Sequence, residues 1–295
     1  MFDPNFFLMI VQVVIQGLLL GSIYSLVSMG LTLIWGTMKI INFSHGSLMM
    51  LSMYVTFWLW YFIKIDPLLS ILIVFPFMYI VGYLVNRVII MPIIDAERHS
   101  QLLMTFGLML VIKNLALYFW TGTYRVLLTP YSMSTFWIGG IMFDVAKIIS
   151  FIVAIGLSIG LHFFLSKTST GMAIRAVAQD RDAASAMGID ARKIYGITCG
   201  LGIALAGVAG SLTTTYYSIF PDLGTNFMFM AFIIMVLGSM GNYLGALVAG
   251  LIIGVTESVS AFLFISSLRQ AIAFILFVLI LLFRPEGLFG KALRR

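Results

Sequence analysis

The residues with chemistry to offer are few. His45, His99 and His162 are scattered, with no i, i+4 histidine pair and no His-Glu-x-x-His arrangement to seat zinc on one helix face. No Gly-x-Ser-x-Gly elbow is present for an acyl-enzyme mechanism. The Gly290-Lys291 pair continues into alanine and lacks the upstream glycine loop that cradles phosphates, so there is no Walker A motif. The single cysteine, Cys199, permits neither an internal disulfide nor a thiolate cluster, and in its Gly-rich apolar run it reads as a small packing residue. No catalytic, metal-binding or cofactor-binding set is expected, and the chain does not read as an enzyme.

What remains is a handful of polar groups inside apolar runs. Glu257 follows Gly250-Leu-Ile-Ile-Gly-Val-Thr, Lys113-Asn114 interrupts an earlier run, and Arg269-Gln270 opens the last one. A charge at membrane depth costs roughly 2.5 to 3.5 kcal/mol on insertion scales, so each of these requires a partner or a cavity. The first expectation is a structural pair of Glu257 with Arg269 at the outer end of two adjacent helices. Asn42, Ser44 and His45 read as a polar turn between helices, where freed backbone groups must be satisfied. Tyr24, Asn42, Thr214, Tyr217 and Glu257 are candidate lining for a translocation path. The hydroxyls of the 213–217 cluster serve equally well as hydrogen-bonding glue between helices.

The elements that must hold these groups follow from composition. Of 295 residues, 61% are hydrophobic and 9% charged, against about 25% charged in a soluble domain. Mean hydropathy is +1.09. A water-soluble globule cannot cover that much apolar surface, and the runs do not alternate as barrel strands would. The fold class is all-α: a polytopic helical transmembrane bundle of about eight to nine spans, occupying 1–295 as a single transmembrane domain. Apolar runs fall at about 6–35, 48–63, 68–85, 102–120, 148–165, 194–217, 227–237, 244–255 and 261–283. The chain starts Met-Phe-Asp-Pro-Asn, without a basic stretch or small-residue cleavage site, so the first span is expected to be retained. The Gly-xxx-Gly pairs Gly17/Gly21 and Gly250/Gly254 mark close helix contacts or a diverged duplication.

The formal charge of +6 and pI near 9.5 do not indicate a nucleic-acid partner, because the 17 Lys and Arg sit mostly between apolar runs. The loop at about 167–193 carries Lys167, Arg175, Arg181, Arg192 and Lys193, and the tail carries Arg284, Lys291, Arg294 and Arg295. Both are expected to be cytoplasmic, with Asp3 outside and nine crossings between.

That loop carries the strongest local signal. Residues 172–187 are Ala-rich and free of Gly and Pro, which favours helix. Ile174, Val177, Ala184 and Met187 recur at helical spacing, with Arg175, Gln179, Asp180, Arg181 and Asp182 as the polar complement. Gly171 precedes the stretch and Gly188 follows it, as a C-terminal cap would. One helix lying under the membrane is expected. Its alternatives are a surface helix resting on lipid or an apolar ridge docked in a partner's groove.

The loop, Thr170-Gly-Met-Ala-Ile-Arg-Ala-Val-Ala-Gln-Asp-Arg-Asp-Ala-Ala-Ser-Ala-Met-Gly-Ile189, resembles the coupling segment of permeases in bacterial branched-chain amino-acid ABC importers. Asp182-Ala183-Ala184 with Gly188 keeps the family's Glu-Ala-Ala-x-x-x-Gly spacing, with Asp for Glu. Four further segments match in order: Gly17-Leu-Leu-Leu-Gly-Ser-Ile-Tyr-Ser-Leu26, Ile41-Asn-Phe-Ser-His-Gly46, Val236-Leu-Gly-Ser-Met-Gly241, and Leu268-Arg-Gln-Ala271 leading to Leu282-Phe-Arg-Pro-Glu-Gly-Leu-Phe-Gly290. Ser44 stands where Ala is usual, and Asn242-Tyr243 where a small Ser and an aliphatic residue are common.

The resemblance implies a permease subunit in a bacterial inner membrane with its C-terminus cytoplasmic. It implies a homologous second permease, two ATPase subunits that hold ATP and Mg, and a periplasmic solute-binding protein. Gly171, Arg175, Asp182, Ala183, Ala184 and Gly188 would then be the ATPase-coupling residues. Bulk at Ala184 is expected to uncouple transport from ATP hydrolysis or abolish assembly, and Asp182→Asn to be milder. Permeases for urea, short amides or sugars are rival readings within the class. A passive solute channel is the rival outside it.

Overall fold

The computed structural model describes residues 4–264 and 268–290. Asp3, Lys291, Arg294 and Arg295 lie outside the described residues, so the topological expectations placed on them have no structural counterpart. In chain order the helices are α1 (Pro4–Met38), α2 (His45–Trp58), α3 (Pro67–Val85), α4 (Arg98–Trp120), α5 (Val145–Lys167), α6 (Ser169–Gln179), α7 (Arg181–Ala186), α8 (Ala191–Thr213), α9 (Leu223–Leu237), α10 (Tyr243–Leu263) and α11 (Arg269–Phe283). Seven segments among the described residues are helical, long and apolar enough to cross a membrane, α2 through its continuation into a π-turn at Leu59–Ile63. The other two apolar helices, α9 and α11, have 15 residues each, short of the roughly 20 that a lone span requires.

Hydropathy places the long helices because backbone groups in hydrocarbon must bond within their own segment. Their ends carry conventional caps. Asp66 accepts from Leu68 N–H at 2.8 Å just before Pro67 opens α3, and Asp190 accepts from Arg192 and Lys193 N–H at 3.0 and 3.2 Å at the start of α8.

Successive membrane helices alternate in direction between two ends. One end bears a hairpin, β1 (Thr135–Ile138) against β2 (Ile141–Asp144), turned by Gly139 and Gly140 at φ +58° and +85°. Such a turn matches the twist of the flanking strands. Gln12 of α1 pairs with it as a strand would, its Nε2 donating to Met142 O at 2.8 Å and its Oε1 accepting from Met142 N–H at 2.7 Å. The other end carries α6, α7 and most of the basic residues.

The core sits along α1 and α8. The two Gly-xxx-Gly pairs face one another there: a Cβ on Gly17 would lie 2.6 Å from Val255 Cα, and one on Gly21 2.7 Å from the Gly250 carbonyl. The pairs are therefore the two halves of one backbone contact between α1 and α10, of the kind that small residues allow.

Residues 39–44 carry the chain back into the bundle. His45 Nε2 lies 3.0 Å from the carbonyl of Val27, eleven residues before the end of α1, or about 16 Å along it. The first turn of α2 thus begins at depth, backbone to backbone with the first turn of α9 at Gly46 and Gly224.

One expected boundary is corrected. Residues 261–263 continue α10 rather than opening the last run, since Ala261-Phe-Leu contains nothing that stops a helix. The stretch 121–144, between two of the apolar runs, holds the hairpin and a bridge between Arg125 and Ile219.

Candidate functional site

At the basic end the segment 167–193 forms two helices, not one. Asp180 breaks it: its backbone is extended and its Oδ1 accepts from Asp182 and Ala183 N–H at 2.9 and 3.0 Å. A carboxylate that satisfies the free N–H groups of a new helix stabilises a start at that point over continuation. The expected single helix is therefore α6 followed by α7. Thr168 caps α6, with Oγ1 accepting from Gly171 N–H at 3.0 Å.

The end of α7 conforms to a Schellman closure, with Ile189 N–H donating to Ala184 O at 3.1 Å and Gly188 N–H to Ser185 O at 3.0 Å. Gly188 sits at φ +84°, and a Cβ there would meet nothing within 4 Å, so conformation alone requires glycine at this position. A β-branched residue in that region costs about 1–2 kcal/mol. Gly188→Val is expected to lower the melting temperature of the purified permease more than Gly188→Asn, with Gly188→Ala between them. Equal melting points would remove the conformational explanation.

The apolar stripe of this segment does not face outward as a ridge. Ile174, Val177 and Ala184 are 2%, 3% and 5% exposed, packed onto the chain's own bundle. What faces outward is Met172, Arg175, Asp182, Ala183, Ala186 and Met187. The ridge expectation fails because the same apolar face is needed to seat the helices on the membrane domain. Gly171 belongs to that seat: a Cβ would lie 2.6 Å from Leu165 Cα. Arg175 reaches back weakly, its Nη2 3.5 Å from Ser166 O.

Arg181 ties α7 to the turn between α3 and α4. Its Nη1 lies 2.8 Å from Asp95 Oδ1, and its guanidinium stands 5.8 Å from the Tyr195 ring centroid. The hydrogen bond to Asp95 holds the guanidinium pKa above its ordinary value.

A cavity of about 660 Å³ separates α6 from the end of α1 and from residues 239–243, with Thr37, Gln179 and Asn242 among its lining. Lys39 also lines it and lies 4.5 Å from the Trp35 ring, and burial lowers its ammonium pKa.

Three of the five path candidates meet near the hairpin end. Glu257 is fully buried and pairs with Arg269, Nε to Oε1, at 2.8 Å. Tyr24 and Tyr217 both make edge contacts with Phe227, with centroids 5.7 and 6.1 Å away. Arg269 and Tyr217 line a cavity of about 290 Å³ together with Gln16, Lys147, Tyr216 and Ser258.

Asn42 and Thr214 are not part of this group. Asn42 Oδ1 accepts from Ser44 N–H and Oγ–H at 3.1 and 2.6 Å, and forms the polar turn before α2. Thr214 Oγ1 donates to Ser211 O at 2.6 Å within its own turn.

Gln16 and Lys147 belong to the cavity, although sequence reasoning passed over them. Lys147 Nζ lies 2.8 Å from Gln16 Oε1 and 2.6 Å from Asp144 Oδ2. The available signal was Gln12 and Gln16, two amides four apart on one face of an otherwise apolar helix.

Residues 13–281 match the family described as branched-chain amino acid transport system, permease component. The chain is 30% identical to the high-affinity branched-chain amino acid transport system permease protein BraD of Pseudomonas aeruginosa, over 95% of each chain. It is 28% identical to LivH of Escherichia coli K12, of the same description, over 97% of each. It is 30% identical to a probable branched-chain amino acid transport permease protein LivH of Methanocaldococcus jannaschii, over 96% of this chain and 95% of that one. No solved structure matches.

Proposed function

Because the chain belongs to the family of permease components of branched-chain amino acid transport systems, we propose that it moves branched-chain or related amino acids inward across a bacterial inner membrane, with its basic end in the cytoplasm. It is a multi-pass membrane protein and a transport subunit of an ABC importer rather than an enzyme. ATPase and substrate-binding partners go with the family in general terms. The finer assembly we infer is one homologous second permease, two ATPase subunits that hold the ATP and Mg, and a periplasmic solute-binding protein.

The observation that carries this reading is the α6–α7 element. It is capped at both starts, seated by its apolar face, and presents small and flexible residues away from the bundle. A passive channel has no use for such a structure.

Mechanically, closure of an ATPase dimer on nucleotide must favour one arrangement of the bundle over another. Moving a two-state equilibrium from 1:99 to 99:1 takes about 5.5 kcal/mol of differential binding. The 660 Å³ cavity gives α6 room to move relative to α1, while Gly171 keeps its first turn fixed on α5.

The test is reconstitution of the permease pair with its ATPases and binding protein in liposomes. ATP-dependent accumulation of labelled leucine, abolished when the ATPases are left out, is the expected outcome. Equal flux without nucleotide would favour the channel. Uptake of urea or a pentose in preference to leucine would move the substrate to a rival within the class.

A further inference from the structure

Lys113 and Asp222 form an ion pair on the outward surface of this subunit, with Lys113 inside the span-length helix α4. Their charged atoms are 2.5 Å apart, with side chains 32% and 62% exposed. Lys113 lies seven residues from the hairpin-end terminus of α4 and fifteen from its start, about 10 and 22 Å along the helix. Asp222 stands at the N-cap of the short helix α9. Asn114 and Asn226 are exposed beside the pair.

A lysine can reach toward the membrane surface along its own stem. Aspartate and asparagine cannot, and Asp222 is the more exposed member of the pair. Asn114 Nδ2 donates to Leu110 O at 2.8 Å within its own helix, but lipid against the exposed Asp222 carboxylate and Asn226 amide would leave them short of partners. The face therefore meets water.

We propose that Lys113 and Asp222 are a transient binding site for the zwitterionic head of an amino acid within the translocation path. The proposal rests on the amino-acid reading above and deepens it. An α-amino acid carries a carboxylate and an ammonium on one carbon. It opens the pair by offering the carboxylate to Lys113 and the ammonium to Asp222, exchanging one ion pair for two. The amides of Asn114 and Asn226 supply further donors and acceptors. Because the site is neutral overall, it does not hold the solute by net charge, as a path that must release requires.

An apolar environment for the solute's side chain lies further along the same face. Three residues beyond Asn226, on the same face of α9, Phe229 begins a wholly apolar cavity of about 230 Å³ shared with Phe232, Phe274 and Phe277. Phe229 stands seven residues from Asp222, about 10 Å along the helix, so the cavity is the next apolar environment that the side chain meets once the head leaves the pair.

The experiment uses the complete reconstituted complex carrying Cys199→Ala. Asn114→Cys is placed on the face, and Leu72→Cys, exposed on α3, serves as the lipid-facing control. A charged, thiolate-specific reagent is expected to modify position 114 and not position 72. Leucine delivered by the binding protein is expected to slow modification at position 114 at least threefold. Modification of position 114 only by an apolar maleimide, or at a rate indifferent to leucine, overturns the site.

In parallel, the neutral variant Lys113→Met/Asp222→Met is expected to lose at least tenfold in leucine uptake in complexes that still co-purify with ATPase. Uptake within twofold of the unmodified complex means that the pair is only structural, and also overturns the site. If the unmodified complex accumulates no amino acid, it is the functional reading that fails.

Discussion

Ala183→Trp is expected to reduce ATP-driven uptake at least tenfold in a permease that still folds, whereas Ala184→Trp is expected to prevent folding. The two neighbours point about 100° apart around α7. Ala183 is exposed and Ala184 is 5% exposed against the bundle. An indole at position 184 must displace packed neighbours, and overpacking of even a few methylenes costs about 1–3 kcal/mol. An indole at position 183 starts from an exposed Cβ and displaces no packed neighbour. Its effect falls entirely on what α7 touches from outside.

The sequence alone points to Ala184 as the probe of coupling, and burial overturns that choice, because failure of that variant would report on folding. The measurement is ATPase co-purification and leucine uptake for both variants, with thermal stability as the control. A stable Ala183→Trp permease that retains both assembly and uptake would mean that α7 does not contact the ATPase. Asp182→Asn, on the exposed side with its side chain free of the capping bonds that Asp180 makes, is expected to be the mildest of the three.

The same contrast shows how far the sequence could be read. Long apolar helices were legible because hydrocarbon allows the backbone few alternatives. The coupling element was legible as a polar interruption with helical spacing. Its break at Asp180 was not, because helix propensity counts residues and overlooks that a carboxylate can start a second helix sooner than the first one ends. The mark was present in Gln179-Asp180-Arg181-Asp182, whose two carboxylates stand where a cap and a first-turn anion belong.

The hairpin likewise had a signature in Phe-Trp-Ile-Gly139-Gly140-Ile-Met-Phe, hidden because hydropathy reads it as one more apolar stretch. Glu257 with Arg269 could be paired from depth and charge alone. Tyr24 and Tyr217 could be named from the sequence, but their meeting near Glu257, and the place of Gln16 in the cavity, required the three-dimensional contact, since α1, α10 and the segment after α8 are far apart in sequence.

Arg269→Leu is expected to be more damaging than Arg269→Leu combined with Glu257→Gln, and the difference identifies what the pair does. Glu257 is fully buried and its carboxylate meets Arg269 at 2.8 Å. Removing the arginine leaves a buried carboxylate without its countercharge, a change that costs about 3–5 kcal/mol. Neutralising both groups removes the charge together with its partner and is often close to neutral. The single variant should therefore lose most folded protein in detergent, and the double variant should recover it.

Uptake by the recovered double variant then separates two roles. Arg269 lines the 290 Å³ cavity with Tyr217 and Lys147, so a path that uses its charge will pass solute poorly even when the fold is restored. A purely structural pair will pass solute as the unmodified protein does. If the single variant is already as stable as the unmodified permease, neither role stands. Glu257 would then have to be protonated or hydrated at that depth without help from Arg269.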